Sequence, residues 1–151
     1  MKNLKIAIGS DHAGYELKKE LIEYLHNNKY EVFDEGTNSI ERCDYVDFAK
    51  KVAIKVAKKE VDRGILICGT GIGMSIASNK IKGIKAALCV TEYMAKFSRL
   101  HNNSNILCLG SRTVETRENL KIVKIWLETD FEGGRHIPRL NKIEDLEKEN
   151  L

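Results

Sequence analysis

The sequence predicts an α/β protein, a three-layer α/β/α sandwich built on a five-stranded parallel, Rossmann-like sheet. Three observations carry that expectation. Short apolar runs of strand length alternate with longer stretches of helical period along the whole chain. The runs Ile65-Leu66-Ile67-Cys68 and Ile106-Leu107-Cys108-Leu109 are continuous rather than alternating, as in strands covered on both faces. Glycines at 69, 71 and 73 join the first of these runs to a helix start near Met74, the strand, glycine loop and helix of a parallel unit. Units alternating at this pace imply right-handed βαβ crossovers.

The elements follow in order. Leu4-Lys5-Ile6-Ala7-Ile8-Gly9 reads as the first strand, and residues 15–28 repeat Leu17, Leu21, Ile22 and Leu25 at amphipathic helical spacing. Tyr30-Glu31-Val32-Phe33-Asp34 is the second strand. After a polar loop over residues 35–44, a helix over residues 45–59 carries Val46, Ala49, Val52, Ala53 and Val56 on one face. The Cys68 strand and its glycine loop come next. A fourth strand is expected at Lys85-Ala86-Ala87-Leu88-Cys89-Val90, a helix over residues 92–101, and a fifth strand at Asn105-Ile106-Leu107-Cys108-Leu109-Gly110. A long helix over residues 114–128 holds Leu120, Val123, Ile125, Trp126 and Leu127. Past Gly133-Gly134, residues 138–150 read as a charged C-terminal helix with Pro138 in its first turn.

Two loops rich in chemistry, Ser10-Asp11-His12 after strand one and residues 68–73 after strand three, leave C-terminal strand ends. In a sheet of order 2-1-3-4-5 those ends flank the switch point, where ligands bind in open α/β sheets. That order is therefore expected.

With 151 residues the chain suits one domain, residues 1–151, able to bury roughly two-thirds of its unfolded surface. Its 25 basic and 22 acidic side chains leave a net charge of +3 with no basic tract and no aromatics interleaved with arginine, so nucleic acid is not an expected partner. The opening Met1-Lys2-Asn3-Leu4-Lys5 lacks the apolar run of a signal peptide or membrane span, which points to the cytoplasm and to no membrane partner. Cys43, Cys68, Cys89 and Cys108 form no C-x-x-C pair, so four free thiols are expected. Carboxylates are scattered and no His-x-x-x-His pair occurs, so no metal is expected either.

The loop at residues 69–73 can turn successive N–H groups toward one point, the requirement for holding an oxyanion. Cys68 stands beside those donors, a setting that stabilises a thiolate. A P-loop is ruled out, because the sixth and seventh positions from Gly69 are Met74 and Ser75 rather than Gly-Lys. The dinucleotide fingerprint fits badly, its third glycine arriving one residue early, although Glu92 lies about 20 residues downstream where a ribose ligand would stand. A nucleotide-binding module on this fold remains the competing class. A receiver domain would need an aspartate ending strand three, where Cys68 stands, and a lysine after strand five, where Ser111-Arg112 stands.

Elsewhere, Asp11 reads either as a helix cap or, with His12 beside it, as part of a site. Cys68, like Cys89 and Cys108, could be a small buried apolar group. His101 could be no more than a histidine at a helix C-terminus. Arg135 and Arg139, around Pro138, are cations misplaced at a helix start unless an anion is near, and Arg112 is a third cation at a strand end; phosphate is the natural bidentate acceptor.

Taken together, Gly9-Ser10-Asp11-His12-Ala13-Gly14, Asp44-Tyr45, Cys68-Gly69-Thr70-Gly71-Ile72-Gly73 with Ala77-Ser78-Asn79-Lys80, His101-Asn102-Asn103, Gly110-Ser111-Arg112 and Glu132-Gly133-Gly134-Arg135-His136 with Arg139 closely resemble the type B ribose-5-phosphate isomerases. These belong to a group that also includes allose-6-phosphate and galactose-6-phosphate isomerases, and the resemblance covers nearly the whole chain in order. It implies an aldose–ketose isomerase working through an enediolate without a cofactor. It implies Cys68 as the base, the backbone N–H groups of Gly69, Thr70, Gly71, Ile72 and Gly73, helped by Thr70, as the enediolate site, and His101 as the ring-opening acid with Asp11 as helper. Asp11, His12, Tyr45, Asn102, Arg112, Arg135 and Arg139 match substrate-binding positions, the arginines and His12 serving the phosphate. One branch of the group replaces the cysteine by a glutamate where Met74 stands here, which puts this chain in the thiol branch. Ribose 5-phosphate is the expected substrate, with a six-carbon sugar phosphate as the alternative. A homodimer or tetramer is implied, in which His101, Asn102 and Arg112 enter the neighbour's site.

Overall fold

The structure is a computed structural model that describes residues 3–149. The chain ends at Met1, Lys2, Asn150 and Leu151, including the last residue of the expected C-terminal helix, lie outside the described residues. Five strands, β1 (Lys5–Ser10), β2 (Glu31–Asp34), β3 (Arg63–Cys68), β4 (Ala86–Leu88) and β5 (Ile106–Gly110), form one all-parallel sheet. Helices α1 (Tyr15–Asn27), α2 (Tyr45–Ala57), α3 (Ile72–Ser78), α4 (Glu92–Leu100), α5 (Thr116–Glu128) and α6 (Ile137–Lys148) connect and cover it. The expected elements are all present, with ends moved by one or a few residues.

Side-chain alternation along each strand splits the core into two layers. Ile6, Ile8, Ile65, Ile67, Leu107 and Leu109 face one way, onto Leu17, Leu21 and Leu25 of α1, Ala95 of α4, and Ile122, Val123 and Trp126 of α5. Ala7, Leu66, Cys68, Ile106 and Cys108 face the other way, onto Ala49, Val52, Ala53 and Val56 of α2 and Met74 of α3. This is the expected three-layer sandwich.

The strand order is β2-β1-β3-β5-β4 rather than the expected 2-1-3-4-5. The exchange has a physical reason. Every residue of β5 is buried, so it needs neighbours on both sides, whereas the three residues of β4 are each partly exposed and suit a sheet edge. Alanine at two of β4's three positions was the available signal. The correction leaves the switch point intact, because β1 and β3 remain adjacent, and it sets the loop after β5 directly beside the loop after β3. No helix among the described residues is long and apolar enough to cross a membrane.

Candidate active site

Candidate residues gather at two opposite edges of the sheet. At the C-terminal edge, Cys68 ends β3 in a buried position, and the N–H of Gly71 donates to its Sγ at 3.1 Å. That approach needs a left-handed turn, and Gly71 has φ +79° with Leu88 and Leu109 packed where a Cβ would go. Thr70 Oγ1 accepts from the N–H of Ile72 at 3.2 Å and closes the loop onto the start of α3. The ring of Tyr45 lies against Gly73, occupying the space of a side chain there. Gly69 is covered by Arg112, whose backbone N–H donates to the Gly69 carbonyl at 2.9 Å and whose Cδ and Nη1 would lie 3.5 Å from a Cβ at Gly69. Arg112 therefore belongs to the Cys68 cluster of its own chain, which corrects the expectation that it travels with His101 to a neighbour. The cause is the strand order, which makes β5 the neighbour of β3.

The turn after β1 completes this cluster. Asp11 Oδ1 accepts from the N–H groups of Ala13 and Gly14 at 3.0 and 3.1 Å, so the capping role is real and occupies one carboxylate oxygen. His12 Nδ1 accepts from the N–H of Cys43 at 3.3 Å, which assigns its proton to Nε2 and leaves that nitrogen a donor.

The three buried or half-buried thiols elsewhere make no such contact. All four cysteines are free. Desolvation pushes the Cys89 thiol up to about 11, partly offset by Ser98, and burial pushes Cys108 higher still. Those two are packing groups. Cys68 alone among the four accepts a hydrogen bond from the glycine loop.

His101 lies at the other edge. It follows α4, and Asn105 N–H donates to Lys85 O just ahead of β4 and β5. A parallel sheet places the end of a connecting helix at the N-terminal edge of its strands, so about five residues of β5, on the order of 16 Å, separate His101 and Asn102 from Cys68. Glu132 joins them there, its N–H donating to Leu100 O at 3.0 Å. Arg135, in the short 3₁₀ turn Gly134–His136, and Arg139, in the first turn of α6, follow directly. Among the described residues Arg112, Arg135 and Arg139 have no carboxylate within ion-pair distance, as a phosphate grip requires.

Sequence reasoning placed Glu132 in a motif but gave it no role. Its Oε2 lies 3.2 Å from His136 Nε2 and 3.7 Å from His101 Nε2, and the three groups are close enough to suggest a metal centre. The ring geometry argues otherwise. The two imidazoles are stacked at 4.2 Å with planes 19° apart, so their in-plane lone pairs cannot converge on one ion at a bonding distance of about 2.1 Å.

Residues 6–143 match the family model described as Ribose/Galactose Isomerase. The chain belongs to the ribose/galactose isomerase family. Among its relatives, ribose-5-phosphate isomerase B of Escherichia coli K12 is 49% identical over 144 residues, covering 95% of this chain and 97% of the relative. Among solved structures, the ribose-5-phosphate isomerase B of Clostridium thermocellum superposes with a TM-score of 0.95 at 54% identity, over 96% of this chain and 98% of that one. The isomerase B of Mycoplasma genitalium, solved with bound ribulose-5-phosphate, superposes with a TM-score of 0.95 at 49% identity, over 99% and 100%. The chain is accordingly an aldose–ketose isomerase, and a proton transfer next to a carbonyl requires a base beside donors that hold the developing oxyanion.

Proposed function

We propose that the chain interconverts ribose 5-phosphate and ribulose 5-phosphate, with Cys68 as the base. The observation that carries this reading is the Gly71 N–H aimed at Cys68 Sγ at the sheet's switch point. Ribose 5-phosphate is a furanose and must open before it has a carbonyl. His101 gives a proton to the ring oxygen as the C1–oxygen bond breaks, and the anomeric hydroxyl loses its proton to Asp11, forming the aldehyde. Cys68 then removes the C2 proton, donors from Gly69, Thr70, Gly71, Ile72 and Gly73 hold the enediolate, and return of the proton to C1, with the C2 hydroxyl's proton passing to O1, gives the ketose. Tyr45 flanks the sugar, Asn102 binds it, and His12, Arg112, Arg135 and Arg139 serve the phosphate.

One chain cannot bring Cys68 and His101 onto one pentose across the sheet. The active unit in this reading is therefore a cytoplasmic homodimer or a pair of dimers, each site taking Cys68, Asp11, His12, Tyr45 and Arg112 from one chain and His101, Asn102, Arg135 and Arg139 from its partner. Exposed apolar side chains on three elements, Ile72 and Ile76, Tyr93 and Met94, and Tyr45 and Val46, support burial against a second copy.

Rates with ribose, allose and galactose phosphates test the substrate, and ribose 5-phosphate should give the highest kcat/KM. A faster six-carbon substrate would overturn that assignment. Cys68→Ala should lower kcat by at least about a hundredfold while leaving sugar-phosphate binding nearly unchanged. If the variant still exchanged the substrate's carbon-bound proton with solvent at the parent rate, Cys68 would not be the base.

A further inference from the structure

His101 is held in an unusual way. Its ring stacks on His136, meets Phe97 edge-on at 4.9 Å, and lies 3.7 Å from Glu132, too far for a hydrogen bond. Its own N–H is therefore not consumed within the cluster. His136 is different: it is buried and bonded to Glu132 Oε2 at 3.2 Å, so it forms a fixed platform under the half-exposed His101. The platform is anchored beneath. Glu132 is tied by its backbone to Leu100, the residue before His101. The turn carrying His101 is itself pinned by Arg99, which bonds Thr129 O, Asn103 Oδ1 and Ser104 O, and by Trp126, whose indole N–H donates to Ser104 Oγ at 2.8 Å.

We propose that Glu132 is a positioning residue for ring opening: by fixing His136 it holds the imidazole of His101 at the angle from which that ring protonates the furanose oxygen. The inference rests on the reading of His101 given above. Glu132 touches neither sugar nor reacting atoms. Its effect is confined to the step in which the C1–oxygen bond breaks, the electron pair stays on oxygen, and one proton arrives there as another leaves the anomeric hydroxyl.

That confinement can be measured, because ribulose 5-phosphate is an open-chain ketose whose only hydroxyl able to close a furanose ring is esterified. Exchange of its C1 proton with deuterated solvent needs Cys68 and no ring opening. Glu132→Ala should slow isomerisation starting from ribose 5-phosphate by about tenfold or more, a part of what a general acid contributes, while proton exchange on ribulose 5-phosphate stays within about twofold. Glu132→Gln keeps an acceptor for His136 and should recover the ribose reaction to within about threefold of the parent. Equal losses in both reactions would mean a structural or binding role, and no loss in the first would mean no role; either overturns the proposal. His101→Ala separates the two readings. If it shows the split and Glu132→Ala does not, only the role of Glu132 falls. If it shows no split, His101 is not the ring opener and both fall together.

Discussion

At the scale of single residues, the four thiols show what an environment does to one functional group. Cys89 is buried and its thiol is pushed up to about 11 by desolvation, while Cys68, equally covered, has a backbone donor at 3.1 Å. The first has a consequence for stability. A thiol whose folded-state value is raised from 9.0 to about 11 keeps its proton in the folded chain and loses it in the unfolded one across that window. Its contribution is complete below about pH 9 and is lost as pH rises toward 11, a change of up to roughly 3 kcal/mol at 1.36 kcal/mol per unit. Urea midpoints measured from pH 8 to 11 should fall, and Cys89→Ala should flatten that fall. A variant with the parent slope would show that Cys89 does not titrate as described. Cys68 was legible in the sequence because glycines mark the turn that serves it. The role of Glu132 was not, because its partner His101 lies about thirty positions earlier, and nothing in local periodicity connects two loops brought together by tertiary packing.

At the scale of elements, the glycine loop is a backbone device, and its cost of alteration can be divided. Gly71→Ala places a Cβ 2.5 Å from Leu88 Cδ1 and 2.9 Å from the Leu109 carbonyl carbon, at φ +79°. Gly83 has a similar φ of +89° with nothing within 4 Å of the added carbon. Gly83→Ala should therefore cost only the conformational penalty, on the order of 1–3 kcal/mol, and retain activity. Gly71→Ala should cost more and abolish isomerisation, because relieving the clash turns its N–H away from Cys68. Equal destabilisation of the two variants, read by urea denaturation, would show that the packing around Gly71 gives way freely. The elements themselves were legible from spacing: Leu17, Leu21 and Leu25 are all fully or nearly fully buried on one face of α1. Strand order was not. Periodicity describes how each strand is covered and carries no information on which strand lies beside it, so only the alanine content of β4 hinted that it is an edge.

At the scale of the whole molecule, the candidate residues stand at two edges of one sheet, and a second copy is what brings them together in the proposed site. Mixing Cys68→Ala with His101→Ala after mild dissociation tests this, since a mixed dimer carries one site with both residues and one with neither. Random reassociation makes about half the dimers mixed, so about a quarter of the parent activity should return. Confirmed exchange of subunits without recovery would mean that each site is built within one chain. The strand order that corrected the position of Arg112 also bears on how the chain comes off the ribosome. Strand β3 is complete at Cys68, but its outer neighbour β5 is not finished until Gly110, and β4, made in between, has only β5 to pair with. While those residues emerge, at roughly 5–20 per second, the apolar edge Ile65-Leu66-Ile67 waits uncovered. A nascent chain stalled in that interval presents an open template for strand pairing with other chains, and its release into solution before Gly110 is made favours aggregation over folding.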